Sequence, residues 1–249
     1  MTVNKKFIIV IGIIFGGLII ASPAMLAISE FTRIKFTLLD NAGVLIESKG
    51  VRVYVDPINI PSSYSNSPAD VVLVTHDHGD HYDYFSINRI RKDTTIFVFP
   101  EGMTTALNTF NGTAVNPGDQ ITYEHITITT FYMYTFPFGE IPASHPKAAN
   151  WTSYIIDVDG FSFFHAGDSK NIPEYAQLTG LIDVALLPLG PGCQTMADME
   201  IVDVINVIQP SYVFPIHYTP PANDDFYDTY GVLFQASYVN LDYFSSYRF

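Results

Sequence analysis

The chain has 249 residues, enough for one large domain with a full core, and its 12 Lys and Arg face 25 Asp and Glu for a net charge of −13 at pH 7. That balance repels a phosphate backbone and argues against a general nuclease. A single cysteine, Cys193, excludes an internal disulfide and a cysteine-rich metal site.

From Phe7 to Ile28 no residue is charged, and the run reaches the ~20 residues a helix needs to cross a bilayer. Lys5 and Lys6 precede it, which predicts a cytoplasmic amino terminus with Ser29 onward on the outer face. The segment reads as an uncleaved anchor, because apolarity continues through Met25, Leu26 and Ile28. The alternative is a signal peptide with its apolar core over Phe7–Ile20 and small residues Ala21, Ser22, Ala24 and Ala27 near a cut. Either way, residues 1–29 form a terminal segment and residues 30–249 the folded domain. Without Lys5 and Lys6 the twelve basic residues fall to ten, so the domain is acidic. Two N-glycosylation-type sequons, Asn111-Gly112-Thr113 and Asn150-Trp151-Thr152, are compatible with an outside location.

Three short extended stretches follow, Ile34–Leu39, Val44–Glu47 and Val51–Val55, punctuated by Asn41-Ala42-Gly43 and Lys49-Gly50 as hairpin turns. Asp56-Pro57 closes the third. Residues 57–68, rich in Ser, Asn and Pro, read as a loop overhanging a site. Val71-Val72-Leu73-Val74 then reads as a buried strand. It runs directly into Thr75-His76-Asp77-His78-Gly79-Asp80-His81, three histidines and two aspartates in seven residues. Carboxyl ends of strands are where α/β sheets place their sites. His76 and His78, two apart in extended chain, point the same way and can share one metal. Asp80 and His81 fall a turn later and suit a second ion beside the first, at the ~3.5–4 Å separation of two-metal hydrolases.

The pattern H-x-H-x-D-H resembles the signature of the metallo-β-lactamase-fold hydrolases. The resemblance implies a four-layer αβ/βα sandwich and three further ligands downstream, a histidine, an aspartate and a histidine. It also gives Asp56 a place behind the ligand histidines; the other reading is an ordinary Asp-Pro strand stop.

Beyond the motif, a helix is expected over Tyr82–Ile90, a strand over Thr95–Phe99, a helix over Met103–Phe110 and a loop over Asn111–Gly118. Ile121–Thr130 alternates as a half-buried strand or strand pair, with His125 structural. Phe136–Asn150 is a proline-rich loop before the strand Thr152–Val158. Its His145, ahead of Trp151-Thr152-Ser153-Tyr154, resembles the third-histidine region of one branch of the superfamily. That branch holds the ascorbate-6-phosphate lactonase-like proteins and the phospholipase D acting on N-acyl-phosphatidylethanolamines. Lys147, two residues on, is a candidate clamp for a substrate phosphate or carboxylate; the alternative is a solvated loop lysine.

Asp168 in Gly167-Asp168-Ser169 resembles the family's metal-bridging aspartate, and His165 reads as packing or support. After a buried strand over Leu181–Leu187, a helix to Ile208 is capped at Thr195 or Asp198. His217, after the strand ending in Phe214-Pro215-Ile216, matches the closing histidine. Phe226–Ala236 reads as helix-like, followed by an aromatic tail.

The resemblance therefore implies one ion on His76, His78 and His145 and another on Asp80, His81 and His217, with Asp168 between them. The ions are expected to be zinc, with manganese or iron as alternatives. A hydroxide oriented by Asp80 would then attack an ester, lactone, amide or phosphodiester of a small, anionic substrate. The rivals are a mono-iron sulfur dioxygenase on the same fold and a non-catalytic, metal-bound surface module.

Overall fold

Strand β4 (Val71–Leu73) shows how the molecule is layered. Successive side chains in a strand point to opposite faces. Val71 and Leu73 enter one hydrophobic cluster, and Val72, with Val74 beyond it, enters another. A run of four apolar residues is what a strand covered on both faces requires. The computed structural model describes residues 34–190 and 192–249. The expected span Phe7–Ile28 and the boundary at residues 29 and 30 lie outside them, and no helix among the described residues is long and apolar enough to cross a membrane.

The first sheet opens with an antiparallel meander of β1 (Lys35–Leu38), β2 (Val44–Ser48) and β3 (Val51–Val55). It continues in parallel through β4, β5 (Ile96–Pro100) and β6 (Thr113–Val115). Helices α1 (Tyr84–Ile90) and α2 (Thr104–Phe110) cover its outer face, setting Ile87, Ile90, Ala106 and Phe110 against Val72, Val74, Phe97 and Phe99. Helix α1 starts two residues later than the pattern predicts, because Asp83 accepts from Phe85 N at 2.9 Å and caps it.

The second sheet repeats the plan. β7 (Gln120–Tyr123), β8 (Ile126–Tyr132), β9 (Thr152–Val158) and β10 (Phe161–His165) are antiparallel, and β10, β11 (Val184–Pro188), β12 (Tyr212–Ile216) and β13 (Ser237–Tyr238) are parallel. Each half thus passes from antiparallel to parallel pairing with no repeat visible in the residues. Helix α3 (Asp198–Ile208) sends Ile201, Val204, Ile205 and Ile208 into the larger cluster, which fills the space between the sheets. Its first turn is fixed by Glu200, whose carboxylate accepts from Ala197 N at 2.8 Å. Helix α4 (Ala222–Tyr230) follows β12.

Three readings are refined. Ile121–Thr130 is two strands of one hairpin, Asn111–Gly118 contains β6, and the aromatic tail contains β14 (Ser246–Arg248), which pairs with β1. The fold is an α/β sandwich of two seven-stranded sheets.

Candidate metal centre

The motif loop begins where β4 ends, and a buried network fixes its first residues. Asp56 Oδ1 accepts from Thr75 N at 2.7 Å and Oδ2 from Thr75 Oγ1 at 2.7 Å, while Thr75 Oγ1 is 2.9 Å from His76 Nδ1. Asp56 Oδ2 also lies 2.7 Å from His81 Nδ1, so one carboxylate sets the direction of two imidazoles. Of the two readings of Asp56, the contacts are those of the aspartate behind the histidines. The loop then folds tightly, with the His81 and Tyr82 amides donating to His78 O at 2.9 Å each.

His145 arrives from the β8–β9 loop and is zipped to the end of β8. Thr135 N donates to His145 O at 2.8 Å, His145 N donates to Thr135 Oγ1 at 3.0 Å, and Ser144 Oγ is 2.9 Å from His145 Nδ1. Asp168 follows β10 through Gly167, whose φ of +56° suits glycine. A Cβ there would also meet Met133 Sδ at 2.5 Å. His217 follows β12 with φ 53° and donates its amide to Asn41 O at 3.0 Å. Asn41 Nδ2 in turn donates to Asp80 O at 3.0 Å, so one hairpin residue ties two loops together. Trp151 covers the other side, its ring 5.2 Å from His76, 5.2 Å from His78 and 5.4 Å from His145.

The seven residues singled out from the sequence come together in two groups. His76, His78 and His145 form one, and Asp80, His81, Asp168 and His217 the other, with the ligand atoms of each group within 4.8 Å of one another. His76, His81, His145 and Asp168 are fully buried. Such an arrangement is costly unless something pairs with it. His76 Nε2 and His145 Nε2 are 3.2 Å apart and aim at the same space. Both Asp168 oxygens and His81 Nε2 are buried without a well-aligned hydrogen bond. Asp168 Oδ1 is 2.9 Å from His81 Nε2, and Oδ2 is 3.4 Å from His217 Nε2 and 3.6 Å from His145 Nε2. Imidazole and carboxylate donors converging on one buried space, with orphaned atoms at its centre, fit borderline divalent cations.

The electrostatics of the protein alone divide the two groups. Burial and neighbouring histidines hold His76 well below its ordinary value, and burial pulls His145 down to about 4, so both present neutral imidazole, the metal-binding form. Burial also opposes charge on His81, but the Asp168 and Asp56 carboxylates outweigh it and push it up to about 10. The hydrogen bond from His217 keeps the Asp80 carboxyl well below its usual range, although burial opposes this.

The remaining candidates stand apart. His125 pairs with Ser48 Oγ at 3.1 Å, outside both groups. His165 Nε2 lies 2.7 Å from Ala42 O and its Nδ1 accepts from Gly167 N at 3.2 Å, which steadies the Asp168 turn from behind. Lys147 Nζ is held by Glu174 Oε1 at 2.6 Å and sits over the Tyr132 and Tyr134 rings at 5.3 and 4.7 Å. A clamp on a substrate anion would have to displace that carboxylate. Asn41 and Trp151 were missed as supports. Trp151 is the chain's single tryptophan and sits at the mouth of a strand, a usable signal; Asn41 looks like any hairpin residue.

The fold and this cluster define the class. Residues 35–217 match the family model described as beta-lactamase superfamily domain, and the chain belongs to that family. It is 28% identical over 216 residues to a UPF0173 metal-dependent hydrolase of Pyrococcus furiosus, covering 77% of this chain and 88% of the relative. Among solved structures it is similar to Igni18, a metallo hydrolase from the archaeon Ignicoccus hospitalis, with TM-score 0.70, 23% identity and coverage of 88% of this chain and 99% of that one. CmlA, a diiron beta-hydroxylase from Streptomyces venezuelae, shares the fold at TM-score 0.66 and 14% identity, over 88% of this chain and 54% of its own.

Proposed function

We propose that the chain is a hydrolase that works with two divalent ions, zinc foremost, and cleaves an ester, lactone or phosphodiester of a small molecule. His76, His78 and His145 would hold one ion, and Asp80, His81 and His217 the other. The observation that carries this reading is Asp168, a buried carboxylate with one oxygen 2.9 Å from His81 Nε2 and the other 3.4 and 3.6 Å from those of His217 and His145, so that it faces both groups. Ions bound there supply Lewis acidity and lower the pKa of a coordinated water to ~7.

The chain's own residues do the rest. Asp80 is the most open of the acidic ligands, with its side chain 44% exposed. It borders a cavity of about 310 Å³ that Asn41, Leu189, Gly190, His217 and Tyr218 also line. Ionised at neutral pH, it is placed to accept a hydrogen bond from the attacking water and so orient it. His217, 3.2 Å from Asp80 Oδ2, holds that carboxylate in position. Asp56, fully buried behind His81, keeps the imidazole turned inward.

The test is metal analysis of the purified full chain, followed by a panel of esters, lactones and phosphodiesters. Close to two ions per chain with turnover supports the reading. One tightly held iron, no second ion under excess metal, and oxygenation of a persulfide would replace it with the mono-iron dioxygenase.

From Lys5 and Lys6 ahead of the uncharged run Phe7–Ile28 we also propose that the domain lies outside the cytoplasm, tethered by that segment or, as the alternative, secreted. Protease added to intact cells is expected to degrade it; full protection with the membrane sealed would reject that placement.

A further inference from the structure

A cavity of about 420 Å³ is lined by Phe136, Pro137, Phe138, Ile141, Lys170 and Gln194. Its size falls within the ~300–1,000 Å³ of ligand pockets. Two ligand loops and the Gly192–Gln194 turn build it. Phe136–Ile141 leads into His145, its tip closed by reciprocal backbone bonds between Phe138 and Ile141 at 2.9 and 3.0 Å. Lys170 comes two residues after Asp168, and its amide donates to Tyr134 O at 2.9 Å. Gln194 connects the cavity to the cluster, since its Oε1 accepts from Ser144 N at 2.8 Å and Ser144 Oγ meets His145 Nδ1 at 2.9 Å.

The lining is hydrocarbon. Phe138 is 75% exposed, Ile141 58% and Phe136 44%, three large apolar side chains held in water around a concavity. The two polar members have turned their polar atoms towards the protein. Lys170 Nζ donates to Thr195 O at 2.9 Å and pairs with Glu200 Oε2 at 2.6 Å. Gln194 uses Oε1 on Ser144 N and Nε2 on Pro142 O at 3.2 Å. Lys147, the other lysine of these loops, is taken by Glu174. An anionic group entering here would find no uncommitted cation on either loop, whereas an alkyl or aryl group would leave water at no polar cost.

We infer that this cavity is the subsite for a neutral apolar arm of the substrate, and that the enzyme selects esters whose acyl part is a medium-length alkyl or aryl group. The inference rests on the hydrolase reading above. In the reaction the oxygen of water joins the acyl carbon, the acyl carbon–oxygen bond breaks, and the proton passes to the departing alkoxide, giving a carboxylic acid and an alcohol.

The experiment has two arms on the zinc-loaded full chain. In the first, kcat/KM is measured for p-nitrophenyl esters from acetate to octanoate. The wild type is expected to gain roughly two- to fourfold per added methylene. The double variant Phe138→Asp, Ile141→Asp should flatten that dependence, and Phe138→Leu should restore most of it. Equal metal content in all variants shows that they fold. In the second arm, octan-1-ol is titrated calorimetrically into wild type and double variant, with and without zinc; binding to the wild type alone is expected in both metal states. Ester turnover with no chain-length preference and no octanol binding would overturn the subsite and leave the hydrolase reading standing. Octanol binding without turnover of any ester, lactone or phosphodiester would keep the apolar subsite and remove the hydrolase reading. A wild-type dimer that the double variant dissolves, with no octanol binding, would assign the patch to a second copy of the chain and overturn the inference.

Discussion

Asp56 holds His81 from behind, Oδ2 of one lying 2.7 Å from Nδ1 of the other, with both side chains wholly shut off from water. The same carboxylate takes both the amide and the hydroxyl of Thr75. Asp56→Ala strips three buried partners at once and should cost about 3–5 kcal/mol of stability, the range seen when one member of a buried charged pair is removed. Metal affinity should fall by roughly 10–100-fold, because His81 loses its orienting partner. Denaturant unfolding of the metal-free protein and chelator competition of the loaded one read the two effects separately. Unchanged chelator competition would mean that His81 is not a ligand.

Asp168→Ala should lower occupancy in both ligand groups, since its two oxygens face different histidines. His145→Ala should lower only one. Metal counting by mass spectrometry of the two variants under the same zinc excess tests this, and equal losses in both would break the assignment of Asp168 to a shared position.

Asn41 offers a cleaner dissection, because its side chain and its backbone do different jobs. Asn41→Gly removes the bond to Asp80 O but tolerates the φ of 53°. Asn41→Ala removes the bond and adds a left-handed backbone penalty of ~1–2 kcal/mol. Both should speed metal release, and Ala should also lower the thermal midpoint further than Gly. Identical midpoints would show that the turn carries no such strain.

These supports also mark where reading the sequence stops. The H-x-H-x-D-H run was legible because its chemistry is local, five ionisable residues on one loop after an unbroken apolar strand. His145, Asp168 and His217 are scattered over the second half, and it was likeness to a known pattern, not spacing, that picked them out. Asn41 reads as hairpin punctuation, and nothing near it announces contacts with residues 80 and 217. The strand Thr113–Val115 hid between Asn-Gly and Asn-Pro turn signals, three residues being too few to show alternation. Ser246–Arg248 hid for the same reason, and its partner lies at the other end of the domain. The apolar lining around Phe138 gave no signal either, since Phe-Pro-Phe-Gly is as compatible with a packed loop as with an open one.

Lys147→Ala separates two views of the loop after His145. With its ammonium already on Glu174 and over two tyrosine rings, the substitution should change KM for anionic and neutral esters by the same factor. A rise confined to anionic substrates would show that Lys147 exchanges Glu174 for the substrate.

The pairing of β1 with β14 sets a timetable for synthesis. Lys35, Phe36 and Thr37 wait for Arg248, Tyr247 and Ser246, and the Phe249 amide closes on Ile34 O at 3.0 Å. As the chain leaves the ribosome, the first strand can pair with β2 on one side, but its other side stays open until almost the whole domain has emerged. An open strand edge is a template for foreign strands. A ribosome stalled anywhere before β14 therefore presents a nascent sheet with a free border, and its aggregation should depend on how long that border waits.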